Sequence, residues 1–284
     1  MSAAEQIERI AHARHVARVA SELLISIRAN EDSRDGGSGV LGDERASALR
    51  AEGDRRAHVL IAEAIRERFP DDVLLSEEAA DDARRLTAER VWIVDPLDGT
   101  REFGERDAGG RWRDDFAVHL ALWERGLGLT IGVVALPAHG LIFGSDAPPT
   151  LPPASLGPLR IAASRTRPPS VVAHLEASGG ATLVPMGSAG VKVMAVLRGD
   201  ADAYVHAGGQ YQWDSAAPVA VALSAGLCAT RLDGSPLEYN VPELHLPDLL
   251  VCHPDRATEL RARLRAAGVP AGDGAPASAA ESAG

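Results

Sequence analysis

Apolar residues recur at helical spacing near the start of the chain. Ile7, Ile10, Ala13, Ala17, Ala20, Leu24 and Ile27 fall on one side of a 3.6-residue repeat, which predicts a long amphipathic helix over residues 3–28. His12 and His15 lie within it and are assigned structural or solvent-facing places. Residues 30–50 lose the repeat and gain Gly, Asp and Ser, which predicts a surface loop. The repeat returns after Asp54, where Ala57, Leu60, Ile61, Ala64, Ile65 and Phe69 predict a second helix with Asp54 as a natural N-cap. Residues 72–78, DVLLSEE, read as a strand ending in paired glutamates. Residues 116–123 and 129–136 alternate like paired strands about a turn marked by Gly126 and Gly128, and 141–144 adds a short strand.

Past a Pro-rich stretch at 146–158, strands and helices alternate. Strands are predicted at 160–164, 182–186 and 201–206, with a helix at 169–178 and another opened by Gly187-Ser188-Ala189-Gly190 and running to about Arg198. Residues 212–218, QWDSAAP, open a helix of small side chains that ends at 223–226; a buried strand at 248–252 and a helix at 256–266 follow. The class is α/β, with an N-terminal α+β subdomain over 1–150, a C-terminal α/β subdomain over 151–270, and a disordered tail at 271–284.

The chain has 284 residues, 45% hydrophobic but only 4% aromatic, so its core is built mainly from Ala, Val, Leu and Ile. A net charge of −11 argues against binding a nucleic acid polymer, yet leaves room for a small phosphorylated substrate where bound cations outweigh the global sign. No apolar run is long enough to span a bilayer, and residues 1–10 lack the basic start and apolar core of a signal peptide. Two cysteines make no disulfide framework, so a cytoplasmic enzyme is expected. C-x-x-C, P-loop and G-x-S-x-G patterns are absent, against zinc, nucleotide-triphosphate and serine-hydrolase chemistry.

The chemistry concentrates in residues 91–103, VWIVDPLDGTREF. Val91–Val94 make a short buried strand that Asp95 and Pro96 are expected to end, because proline has no N–H for a central ladder. Asp95 and Asp98 then form a dense negative point, which demands a positive occupant; carboxylate, carbonyl and water oxygens suit magnesium. Gly99 lets the backbone approach a ligand, and a helix starting near Thr100 would aim free N–H groups at an anion.

The string D-P-L-D-G-T-R-E-F resembles the signature of the inositol monophosphatase-like superfamily of magnesium-dependent, lithium-sensitive phosphatases. Its R-E-F ending, Arg101-Glu102-Phe103, is similar to the branch that removes the 3′-phosphate from adenosine 3′,5′-bisphosphate. The W-D-x-A-A pattern at Trp213–Ala217 lies at the spacing the family uses, and Glu77 matches the first Glu of its G-E-E. The resemblance implies a layered α/β/α/β/α sandwich of the inositol monophosphatase and fructose-1,6-bisphosphatase type. It implies two or three Mg2+ held by Glu77, Asp95, the Leu97 carbonyl, Asp98 and Asp214. It also implies that Thr100, paired with Asp54, orients and deprotonates the attacking water, with Glu77 taking part, although the usual T-x-A-D of that region reads Ala51-Glu52-Gly53-Asp54 here. Gly99, Thr100, Arg101, Lys192 and Asp214 are the substrate-binding candidates.

Several alternatives stay open. Asp54 and Asp214 also fit plain helix N-termini, and Lys192 is either a surface lysine or a phosphate or ribose contact. Arg165 and Arg167 are candidates for a second phosphate, and Tyr204, Tyr211 and Trp213 for an adenine, each also placeable in a core. The expected reaction is hydrolysis of adenosine 3′,5′-bisphosphate to AMP and phosphate, which clears a by-product of sulfate assimilation. The alternatives are an inositol-1-phosphate or fructose-1,6-bisphosphate phosphatase and, from another class, a non-catalytic nucleotide-binding regulator, motivated by the atypical 30–50 segment. A homodimer is expected from the resemblance alone.

Overall fold

The computed structural model describes residues 2–35 and 39–270. Two long helices, α1 (Ala3–Asp35) and α2 (Asp43–Arg68), precede β1 (Val73–Ser76) and β2 (Arg90–Asp98). One helical turn, α3 (Thr100–Phe103), leads to β3 (Ala117–Glu124), β4 (Gly128–Leu136) and β5 (Leu141–Gly144). The second half runs β6 (Leu159–Ser164), α4 (Ser170–Ala177), β7 (Ala181–Met186), α5 (Ala189–Leu197), β8 (Ala203–Tyr211), α6 (Gln212–Ser224), β9 (Cys228–Thr230), β10 (His245–Cys252) and α7 (Pro254–Ala266). The strands form two mixed five-stranded sheets, ordered β1-β2-β3-β4-β5 and β7-β6-β8-β10-β9.

Strand alternation sets the layering. Trp92, Val94, Val118, Leu120 and Val133 face α1 and α2, whereas Val91, Ile93, Ala117, Ala121 and Val134 face the other way, onto α5 and α6. The same middle layer receives Tyr204, Leu249 and Val251 from the second sheet. That sheet's outer residues, among them Ile161, Val205 and Leu250, pack under α4 and α7. The result is the layered α/β/α/β/α sandwich. Because α6 packs on β2, β3 and β4 as well as on β8, β9 and β10, its first residues can serve a site built largely by the first sheet.

Three expectations from the sequence need correction. Most of the 30–50 segment is helical rather than a surface loop: α1 continues to Asp35 and α2 begins at Asp43. Leu41, Ala46 and Leu49 enter the core, and the buried Glu31 carboxylate pairs with Arg34 and Arg45, so polar contacts hold a stretch that shows no apolar periodicity. Asp54 therefore lies inside α2 and caps nothing; Gly42 is the N-cap. Nor does β2 stop at Asp95. It runs to Asp98, and Pro96 is accommodated where the pairing with β3 slips between Asp95 and Asp98. The short β9 has no counterpart in the sequence pattern. The expected disordered tail at 271–284 lies outside the described residues.

Two further contacts fix the signature turn. The buried Arg28 guanidinium donates to the carbonyls of Glu102 (2.8 Å), Phe103 (2.9 Å) and Arg113 (2.7 Å), capping the C-terminal end of α3 from α1. Gly53 lets α2 lie directly on that turn, since a Cβ there would sit 2.7 Å from Phe103 Cε1 and 3.0 Å from Leu97 Cδ2.

Candidate active site

Asp95 and Asp98 stand at the C-terminal end of β2, and Asp214 in the first turn of α6 meets them from the other half of the chain. One carboxylate oxygen from each lies within 4.8 Å of the others. Asp95 is buried, and its Oδ1 accepts the Leu97 N–H at 3.0 Å. Burial, with the charges of Glu77, Asp98 and Asp214, raises its pKa far above the carboxylate range. Burial and Asp98 push Asp214 up to about 8, against the pull of the Tyr211 N–H. Three carboxylates crowded together and dehydrated must either hold protons or meet a cation. All-oxygen donors of this kind fit a hard divalent ion such as Mg2+. Among the described residues this is the one acidic group of that sort.

Glu77, just past β1, is exposed at the rim and is not part of the three-carboxylate group. Desolvation of its carboxyl, together with Asp98 and Glu78, raises its pKa, while the neighbouring Asp95 works the other way. The Leu97 carbonyl accepts from Thr100 Oγ1 at 3.0 Å, and the same hydroxyl lies 3.2 Å from Asp54 Oδ1. Burial and then Glu78 push Asp54 up to about 7, while the Thr100 hydroxyl works the other way. Thus Asp54, mid-helix on α2, reaches the signature turn because Gly53 brings the helix close.

Asp98 is held by groups that sequence reasoning missed. Its Oδ2 accepts from Ser188 Oγ (2.5 Å) and the Gly190 N–H (2.7 Å), and His119 Nε2 lies 3.3 Å away. Ser188 is the N-cap of α5, also accepting the Val191 N–H, with φ of 30°. His119 is fully buried, directly opposite Asp95 in the β2–β3 register, and its Nδ1 meets the Trp213 carbonyl at 3.3 Å. Gly190 makes room for it: a Cβ there would fall 2.1 Å from His119 Nε2. The available signal was a lone histidine at an inward position of an apolar strand.

The remaining candidates divide. Gly99, at φ 88°, packs tightly against Asp115 and Ser188, and Arg101 is exposed on α3. Lys192 is buried, which overturns the surface alternative; its Nζ donates to the Gly187 carbonyl at 2.7 Å, and burial lowers its pKa while Asp98, Glu102 and Asp214 oppose the shift. Arg165 is committed to Glu102 and Asp115, whereas Arg167 is exposed. Tyr204 and Trp213 are buried. Tyr211 reaches solvent, but its ring already stacks on Trp213 at 4.6 Å and leans on His245 at 4.2 Å.

No helix among the described residues is long and apolar enough to cross a membrane. The chain is 45% identical over 249 residues to the 3′-phosphoadenosine 5′-phosphate phosphatase of Mycobacterium tuberculosis, covering 84% of this chain and 86% of that one. It is 31% identical over 204 residues to the 3′(2′),5′-bisphosphate nucleotidase CysQ of Escherichia coli, covering 68% and 80%. In structure it matches inositol monophosphatase II of Staphylococcus aureus with a TM-score of 0.71 at 18% identity, covering 88% and 93% of the two chains. CysQ from Bacteroides thetaiotaomicron gives 0.69 at 25% identity, covering 87% and 97%. A family model matches residues 5–148 and 153–267, and on that match, joined to the acidic site and the layered fold, this chain belongs to the inositol monophosphatase family.

Proposed function

We propose that the protein is a magnesium-dependent phosphomonoesterase that hydrolyses the 3′-phosphate of adenosine 3′,5′-bisphosphate to AMP and phosphate. The observation that carries this reading is the meeting of Asp95, Asp98 and Asp214 beside the Thr100–Asp54 pair. The names of the mycobacterial and enterobacterial relatives supply the substrate. Two or three Mg2+, held by Glu77, Asp95, the Leu97 carbonyl, Asp98 and Asp214, would supply Lewis-acid activation and neutralise the phosphoryl and carboxylate charge. Thr100 Oγ1 orients the attacking water, and Asp54 Oδ1, poised near neutrality by burial, takes the proton through that hydroxyl. The backbone N–H groups of Gly99 and Thr100 hold phosphoryl oxygens. Arg101 and Lys192 add positive charge toward the substrate. The division at residue 150 then has a role: the first part carries most of the site, and the second closes it with Asp214. Removal of a sulfate-assimilation by-product is the physiological role this reaction suggests.

The test is phosphate release with Mg2+, with and without Li+, from adenosine 3′,5′-bisphosphate, inositol-1-phosphate and fructose-1,6-bisphosphate. Preferred, lithium-sensitive release from the nucleotide is expected. Preference for either sugar phosphate overturns the substrate, and silence on all three overturns the reaction. The non-catalytic alternative keeps the departure from T-x-A-D at Ala51-Glu52-Gly53-Asp54 as its support, but most of the 30–50 segment is helical and α2 delivers Asp54 to Thr100.

A further inference from the structure

The two cysteines, far from the acidic site, face each other. Cys228 on β9 and Cys252 on β10 are direct partners in the antiparallel register, on the sheet face that packs under α7. Directly opposed residues bring their Cα atoms into the range a disulfide requires, with no backbone movement. Cys252 is fully buried, whereas Cys228 lies half-buried on the edge strand. Both thiols are free.

What lies between them gives the pair its interest. The β9–β10 connection returns to clasp the start of α6. Tyr239 Oη meets Ser215 Oγ at 3.0 Å, the Asn240 N–H donates to Gln212 Oε1 at 2.5 Å, and Gln212 Nε2 donates to the carbonyls of Val241 (3.1 Å) and Glu243 (2.7 Å). Gln212 and Ser215 flank Asp214. The cysteines thus sit at the base of the loop whose tip holds the Asp214 turn.

We propose that Cys228 and Cys252 are a peroxide-reactive dithiol whose oxidation to an internal disulfide staples the base of this loop. The Cys228 thiolate attacks one oxygen of the peroxide; the O–O bond breaks, the other oxygen leaves as water, and Cys228 becomes a sulfenic acid. Cys252, losing its proton, attacks that sulfur; the S–S bond forms, the S–O bond breaks, and a second water leaves. Two thiols supply the two electrons that reduce one peroxide. The assignment of roles follows accessibility and local charge: the facing Cys252 thiol holds the Cys228 thiol down to about 6 against its partial burial, and Arg261 and His253 add to the effect. Buried Cys252, whose pKa is raised, is the resolving partner. The ring encloses about 25 residues in a geometry the native fold already has, so oxidation stabilises rather than distorts.

The test uses the full-length reduced protein and hydrogen peroxide, and its readout does not depend on catalysis. Expected is a monomer lighter by two hydrogens, a linked peptide pair joining Cys228 to Cys252, loss of alkylation at both thiols that dithiothreitol restores, and a raised Tm. In Cys252→Ala, dimedone should trap a sulfenic acid at Cys228 and the Tm should not rise. A disulfide between two chains, an irreversibly oxidised Cys228 in the native sequence, or two thiols that stay alkylatable overturns the proposal. Phosphate release by the oxidised form, measured alongside, bears on the proposed hydrolysis and not on the disulfide.

Discussion

Ser188 Oγ donates to Asp98 Oδ2 at 2.5 Å, across a span of 90 residues. With the Gly190 N–H on the same oxygen, the N-terminus of α5 holds one oxygen of the carboxylate that groups with Asp95 and Asp214. Groups that orient ligands in this way typically govern metal affinity by roughly 10–100-fold. Ser188→Ala should therefore raise the Mg2+ concentration for half-maximal phosphate release about tenfold. Tm should fall by only a few degrees, because the Ser188 cap on the Val191 N–H, typically worth about 1 kcal/mol, is lost while Gly190 and the helix remain. An unchanged Mg2+ requirement would show that Asp98 needs no such support.

His119 bridges two segments of the acidic site, lying 3.3 Å from Asp98 and 3.3 Å from the carbonyl that precedes Asp214. His119→Leu should raise the Mg2+ requirement in the same sense, and His119→Asn, which keeps a polar donor, should recover part of the loss. If both variants behave alike in Mg2+ titration, the imidazole acts only as filler.

The Thr100–Asp54 pair carries the proton transfer in the proposed reaction. Asp54→Asn keeps the shape and the hydrogen bond but removes the base, so kcat should fall by about 10²–10⁴-fold with KM nearly unchanged. Gly53→Ala tests the same contact from behind. Its methyl must press on Phe103 and Leu97, an overpacking cost of about 1–3 kcal/mol that outweighs the helix propensity gained, roughly 1 kcal/mol. Loss of kcat beyond the loss of folded protein is expected; a fully active, more stable variant would count against the close approach.

Stability should respond to pH in opposite ways with and without metal. Asp54 and Asp214 rise from an ordinary 3.8 to about 7 and about 8, so the folded chain keeps protons that the unfolded chain releases across that window. Stability of the metal-free protein is fully present below pH 3.8 as far as these groups are concerned, and falls as pH rises toward 8. In the proposed site Mg2+ would bind the deprotonated carboxylates and offset the loss. The Tm gain from Mg2+ should thus be larger at pH 8 than at pH 5. Equal gains at both would mean the carboxylates are not the site of binding.

The sequence carried the layers more faithfully than the boundaries. Period-two alternation separates Trp92 and Val94 from Val91 and Ile93, and those pairs do face different layers. It failed where packing is polar: Glu31 and its arginines extend helical structure through a stretch with no apolar stripe. It failed again at Pro96, where a slipped register tolerates a residue that a regular ladder would refuse. The acidic ligand candidates were legible because their motifs are contiguous. Ser188, Gly190 and His119 were not, because their partner oxygen on Asp98 lies 90, 92 and 21 residues away along the chain and nothing local marks it.

Lys192 is the chain's single lysine, and it is buried with its amine on the Gly187 carbonyl. Every enzyme or reagent that addresses the lysine ε-amine thus has one target in this protein, and folding encloses it. A protease that cuts after lysine has one bond to find, between Lys192 and Val193, and finds it only when α5 opens. The molecule therefore carries its own unfolding gauge: cleavage into two pieces, or acylation of one interior amine, reports the opening of the middle layer without any engineered probe.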